Sequence, residues 1–270
     1  MLRSILLALD DTPGASSARD YALALARRHA ARVVGVLVLD RPHTVDRHEP
    51  VPLGGAAFAT RRNAALAAAV EAEAEAVLAA ALIAAEGVDF TVVRRKEAPE
   101  HALLAEGAAH DLVVIGRDST LGREQADHGL SPTIEALIQD AARPLLVVPP
   151  GPLPAGPVLV AHEPTPASQR TLQLFALLGL GTGLTNRLLS FAPDDEASAM
   201  AGYLASHGLA IETSTGKGDI VEAVLNEARM LRASLVVLGA GEEGSLSRLV
   251  FGSETARLLR ASPCPIFVHG

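Results

Sequence analysis

Short runs of Val, Leu and Ile recur along the chain, separated by stretches in which apolar residues return every three or four positions. Runs at 4–9, 32–39, 88–93, 111–116 and 144–148 predict five strands in the first half, and runs at 157–162, 184–191, 208–213, 234–239 and 265–269 predict five in the second. The intervening segments have helical spacing. GDIVEAVLNEARMLR (218–232), for example, sets Ile220, Val221, Val224, Leu225 and Ala228 on one side of a helix. Continuous apolar strands alternating with helices imply a parallel sheet covered on both faces. The right-handed crossover rule then reduces the topology to a doubly wound α/β sheet.

The pattern occurs twice. ILLALDDTP (5–13) returns as VLVAHEPTP (158–166), DLVVIG (111–116) as SLVVLG (234–239), and RPLLVV (143–148) as CPIFVH (264–269). The order is kept, so a whole domain is duplicated. PPGPLPAGP (149–157), with five prolines in nine residues, fits neither a helix nor a central strand. The chain therefore divides into an N-terminal domain (1–148), a linker (149–156) and a C-terminal domain (157–270). The first copy carries extra length in 40–86, a His/Pro-rich loop (41–57) followed by an Ala/Glu helix. This insertion is expected to be a surface cover or an arm on the other half. Each copy ends in a short apolar strand after a proline. Such a strand is a sheet edge, and bare edges pair with other edges.

Composition narrows the function. The 270 residues carry a net charge of −8 and only eight Tyr and Phe, with no Trp. Neither phosphate tracking on nucleic acid nor a stacking platform for bases suits that surface, and an anionic membrane does not attract it. A single cysteine, Cys264, cannot form an intrachain disulfide and fits a reducing compartment. No signal peptide is visible, and no run is long enough for a membrane helix; the expected location is the cytoplasm.

The candidate chemistry follows the fourth strand of the second copy. In an open parallel sheet, ligands sit beyond the carboxyl ends of the strands, where strand order reverses. There the sequence reads Gly239-Ala240-Gly241-Glu242-Glu243-Gly244-Ser245 and then, thirteen residues after Gly239, Gly252-Ser253 opening a helix. Glycines allow close backbone approach to a polyphosphate, and free N–H groups at a helix start receive anions.

At this point the chain resembles the tandem form of the universal stress protein family, over essentially its whole length. The resemblance implies two five-stranded, doubly wound domains of the adenine nucleotide alpha hydrolase-like type, packed as an intrachain pseudo-dimer through their last strands. It leaves homodimerisation open. ATP-binding members carry G-x2-G-x9-G-[S/T] after strand four and an acid at the end of strand one. Carried over, adenine and ribose would lie near Ala161, His162, Glu163 and Phe191. The phosphates would lie near Leu238, Gly239, Gly252, Ser253 and Glu254, with Mg as the companion ion of ATP.

Two departures stand out. Glu242 replaces the second motif glycine, placing a carboxylate beside the phosphates unless Arg248 or a cation compensates. The first copy has Arg117-Asp118-Ser119 after Gly116, and Ser131-Pro132 where the Gly-Ser belongs; it keeps the fold and loses the loop. A P-loop, a dinucleotide fingerprint in its proper context and a G-x-S-x-G elbow are absent. His43 and His48, with Asp40, Asp46 and Glu49, have no tight metal-ligand spacing. Cys264 is expected to be a small buried residue. The expectation is a stress-response regulator without catalytic residues that binds ATP through its C-terminal domain. The alternative is a non-nucleotide interaction or small-ligand module with vestigial phosphate loops.

Overall fold

The computed structural model describes residues 1–39, 55–121, 130–240 and 253–270. The first half comprises β1 (Ser4–Leu9), α1 (Pro13–His29), β2 (Arg32–Val38), α2 (Ala56–Ala84), β3 (Phe90–Arg95), α3 (Pro99–Gly107), β4 (Leu112–Gly116), α4 (Pro132–Asp140) and β5 (Leu145–Val148). The second comprises β6 (Val158–His162), α5 (Pro166–Leu178), β7 (Thr185–Ser190), α6 (Asp194–Ser206), β8 (Ala210–Thr215), α7 (Ile220–Leu231), β9 (Leu235–Gly239), α8 (Ser253–Ala261) and β10 (Ile266–His269).

The strands form one ten-stranded sheet in the order β3-β2-β1-β4-β5-β10-β9-β6-β7-β8. Pairing is parallel except between β5 and β10, which run antiparallel with Phe267 opposite Leu146. Every residue of β1, β4, β6 and β9 is buried, as the continuous apolar runs require of strands with helices on both faces. Alternate residues feed two cores. Ile5, Leu7, Leu112, Val160, Val237 and Phe267 belong to one, and Leu6, Val113, Ile115, Leu159, Val236 and Ile266 to the other. Each core draws residues from both halves.

The sheet edges differ from the sequence expectation. β3 and β8 begin two residues later than their apolar runs, at Phe90 and Ala210. Gly208, at φ 79°, turns the chain ahead of β8, and Leu209 is buried in that turn rather than paired in the strand. β8 is largely exposed. Apolar residues mark the plug beneath the turn, while the edge strand itself reads polar. α2 lies against α1 of its own half, burying Ala74 and Ala81, and so acts as a cover. Most of the His/Pro-rich loop, including the His43 and His48 group, lies outside the described residues.

Candidate functional site

Parallel strands place all the carboxyl ends of one half on one edge, so each half has a mouth there. The antiparallel junction sets the two mouths on opposite edges. In both halves a Thr-Pro pair opens the first helix on the mouth. Thr12 and Thr165 are N-caps whose hydroxyls accept from Ala15 N and Ser168 N, each at 3.2 Å, with Pro13 and Pro166 at the first helical position.

The C-terminal mouth gathers the ends of β6, β7 and β9, which are neighbours in the sheet. Ala161 and Leu238 turn their side chains into the core, leaving their backbone for any ligand. His162 is 1% exposed. Its carbonyl accepts from Phe191 N at 2.8 Å, and its Nδ1 lies 3.0 Å from Ser190 Oγ. That hydroxyl also accepts from Ala192 N at 3.2 Å. Burial pushes the His162 pKa down, against a weaker upward pull from Glu196. The imidazole is a neutral structural group. Glu163 follows β6 and is half-buried, its N–H donating to Ser168 Oγ at 3.1 Å. The Phe191 ring covers Gly216 at the end of β8, where an added Cβ would come within 2.4 Å of the ring.

Gly239 has a local reason to be glycine. A Cβ there would lie 2.5 Å from Ser168 N at the start of α5. Gly116, in the half whose sequence lacks the motif's Gly-Ser pair, is constrained in the same way, 2.4 Å from Ala15 N. Both glycines are required where the central strand passes the first helix, with or without a ligand. Ser253 and Glu254 open α8, Glu254 being exposed. Gly252, Glu242 and Arg248 lie outside the described residues. One turn beyond Ser253, Arg257 Nη1 lies 3.7 Å from Asp219 Oδ2. Asp219 also caps α7, its Oδ1 accepting from Glu222 N at 2.9 Å. The amino ends of α7 and α8 are thereby tied at one mouth. Sequence reasoning missed this cation, although its i+4 spacing from Ser253 was visible.

At the N-terminal mouth two carboxylates are held by their own chain. Asp10 Oδ1 accepts from Thr12 N at 3.1 Å and Thr12 Oγ1 at 2.6 Å, and Oδ2 accepts from Leu121 N at 3.2 Å. Asp118 Oδ2 accepts from Gly14 N at 3.2 Å, so a carboxylate of this half sits at the amino end of α1. Ser131 caps α4, its Oγ accepting from Ile134 N at 3.3 Å. Pro132 and Ser253 each begin a nine-residue helix before the last strand, so Ser131 stands where Gly252 stands in the other half. Cys264 is fully buried, and burial raises its thiol pKa to about 11 against a weaker pull from Ser262. Among the described residues, no group of three or more His, Cys, Asp or Glu is placed to hold a metal ion. None of the described helices is long and apolar enough to cross a membrane.

A doubly wound, mostly parallel sheet with helices on both faces defines an α/β protein. The universal stress protein family model matches residues 1–149 and 191–269. Universal stress protein Slr1230 of Synechocystis sp. (strain ATCC 27184 / PCC 6803 / Kazusa) is 25% identical over 163 residues, 58% of this chain and 56% of that protein. The match thus spans little more than half of that relative. A universal stress protein from Archaeoglobus fulgidus DSM 4304 superposes with a TM-score of 0.71 at 16% identity, covering 98% of this chain and 95% of that one. A functionally unknown protein, PA1789 from Pseudomonas aeruginosa PAO1, superposes with a TM-score of 0.59 at 16% identity, covering 99% and 92%. The chain belongs to the universal stress protein family.

Proposed function

We propose that this protein is a cytoplasmic stress-response regulator that binds ATP, with Mg, in its C-terminal half alone and acts by binding rather than catalysis. The halves 1–148 and 157–270, joined by 149–156, form a pseudo-dimer within one chain, so a further homodimer is not required. The carrying observation is the difference between the two mouths. In the N-terminal half, Asp118 holds the amino end of α1 and Asp10 is taken up by Thr12 and Leu121. A phosphate arriving there meets carboxylates. In the C-terminal half, α8 opens on Gly252-Ser253, with Arg257 one turn on. The first N–H groups of a helix lack partners within it, and together with the cation of the Arg257–Asp219 pair they suit an anion.

Thermal denaturation with Mg-ATP tests the proposal. At a free ligand concentration 100 times Kd, linkage adds about 2.7 kcal/mol, a readily measured shift. Gly252→Asp is expected to abolish the shift, and Ser131→Asp to leave it intact. Glu242→Gly is expected to tighten binding by removing a like charge. Weaker binding in Glu242→Gly would assign that carboxylate to a metal ion bound with the nucleotide. The Glu242 carboxylate also favours a second reading, an interaction module with a vestigial loop. That reading gains if no nucleotide co-purifies and ATP leaves the melting curve unchanged.

A further inference from the structure

The antiparallel junction lays α8 between the two mouths. The helix begins at Ser253, in the C-terminal mouth, and runs to Ala261 before β10. β10 runs against β5 with Ile266 opposite Val147, and Gly116 of β4 lies beside Val148. The carboxyl end of α8 therefore reaches the mouth of the other half. Its own amino end is only about 14 Å away by helix rise.

Arg117, the residue after β4, meets it there. Arg117 Nη1 donates to Ser262 O at 2.7 Å and Leu259 O at 3.3 Å. The last carbonyls of a helix lack partners within it, and a cation beside them complements the helix dipole. The backbone N–H of Arg117 donates to Val148 O at 2.8 Å, so the residue is fixed to the sheet as well as to α8. Its neighbour Asp118 accepts from Gly14 N at 3.2 Å, so this residue pair also touches α1. The contact is one-sided. Ala240 occupies the matching place in the other half, its N–H on His269 O at 3.0 Å, and has no side chain to reach α4. Among the described residues, the guanidinium is supplied to the helix that opens on Ser253 and has no counterpart from Ala240 for the one that opens on Pro132.

We propose that Arg117 is a positioning residue for the anion site at the amino end of α8, coupling the N-terminal mouth to ATP affinity in the C-terminal half. This rests on the nucleotide reading above. A short helix in a close-packed layer moves as a unit, so fixing its carboxyl end also fixes where its first N–H groups stand.

Calorimetry with Mg-ATP on the full chain tests this, comparing wild type with Arg117→Ala, Arg117→Lys and Arg143→Ala. Arg143 is the control: its Nη2 donates to Ala108 O, after α3 and within the N-terminal half, at 3.5 Å. Arg117→Ala is expected to weaken ATP binding about five- to tenfold, at the low end of ordinary coupling between sites. Arg117→Lys restores most of the affinity, and Arg143→Ala leaves it unchanged. Without ATP, amide exchange quickens in α8 of Arg117→Ala but not in α7. Arg117→Gln, which loses the charge and keeps a donor, replaces the alanine variant if that does not fold. Wild-type affinity in Arg117→Ala, or in Arg117→Gln where the alanine variant does not fold, overturns the positioning role alone. No ATP binding by the wild type overturns the nucleotide reading and the positioning role with it.

Discussion

Single residues show how a motif position can serve packing and ligand at once. Gly239 stands in the family's phosphate motif, yet the backbone of α5 already excludes a Cβ there, at 2.5 Å from Ser168 N. Gly116 faces the same exclusion, 2.4 Å from Ala15 N, in a half whose sequence lacks the motif's Gly-Ser pair. Both obstacles are backbone atoms and cannot swing aside. Gly116→Ala and Gly239→Ala are therefore expected to destabilise alike, by about 1–3 kcal/mol, as overpacking does. Urea unfolding without nucleotide measures it. A Gly239→Ala protein as stable as wild type would return this glycine to the ligand alone. The sequence displayed both glycines, but the reason for them lies in a strand-to-helix contact that joins residues far apart in the chain. Arg117 was hidden for the same reason: its carbonyl partners stand 142 and 145 residues away. The strand-end positions of His162, Glu163 and Phe191 were legible because strand ends can be read from apolar runs. The inward aim of Ala161 and Leu238 required the register.

At the scale of elements, the repeated Thr-Pro pair was legible because its physics is local: an oxygen for the first turn's N–H groups, then a proline whose missing N–H costs nothing. Thr12 does more than cap. Its hydroxyl accepts from Ala15 N at 3.2 Å and donates to Asp10 Oδ1 at 2.6 Å, binding the end of β1 to α1. Thr12→Ala removes both bonds and is expected to cost about 1–2 kcal/mol, within the range for lost caps. Thr12→Ser preserves both and should remain near wild type in the same urea titration. Equal losses in the two variants would show that the threonine methyl, not the hydroxyl, supports this corner. The edge strands were less legible. Hydrophobicity reports burial, and at β8 the most buried residue lies in the preceding turn, Leu209 at 3% exposure. Only the pairing of Thr185 with Ala210 shows where β8 begins.

At the scale of the whole molecule, one sheet and two cores run through both halves, so charge changes in either half act on a common fold. The titrating groups with the clearest bearing on it are histidines. His29, His110, His162 and His269 all have pKa values below the ordinary 6.5, burial being the largest cause in each. Arg28 and the N-terminus add to the effect at His29, Arg32 at His110 and Arg170 at His269, while Glu106 and Asp111 oppose it at His110 and Glu196 at His162. At His110, Ser4 Oγ accepts from Arg32 Nε at 2.9 Å and lies 2.6 Å from Nδ1. A depressed folded pKa means that the unfolded chain binds protons first as pH falls. Stability is then full above about pH 6.5 and declines as pH drops through the folded values. Glu73 acts in the opposite sense, its pKa raised by burial and by Asp11, but above 4.5 and on an exposed side chain where solvent screening keeps the effect small. The thermal midpoint is therefore expected to be level from about pH 8 to 6.5 and to fall toward about pH 5. His162→Gln, which removes a buried imidazole, should flatten part of that slope. A midpoint that rises on acidification to pH 5 would contradict neutral, buried histidines as stabilising parts of this fold.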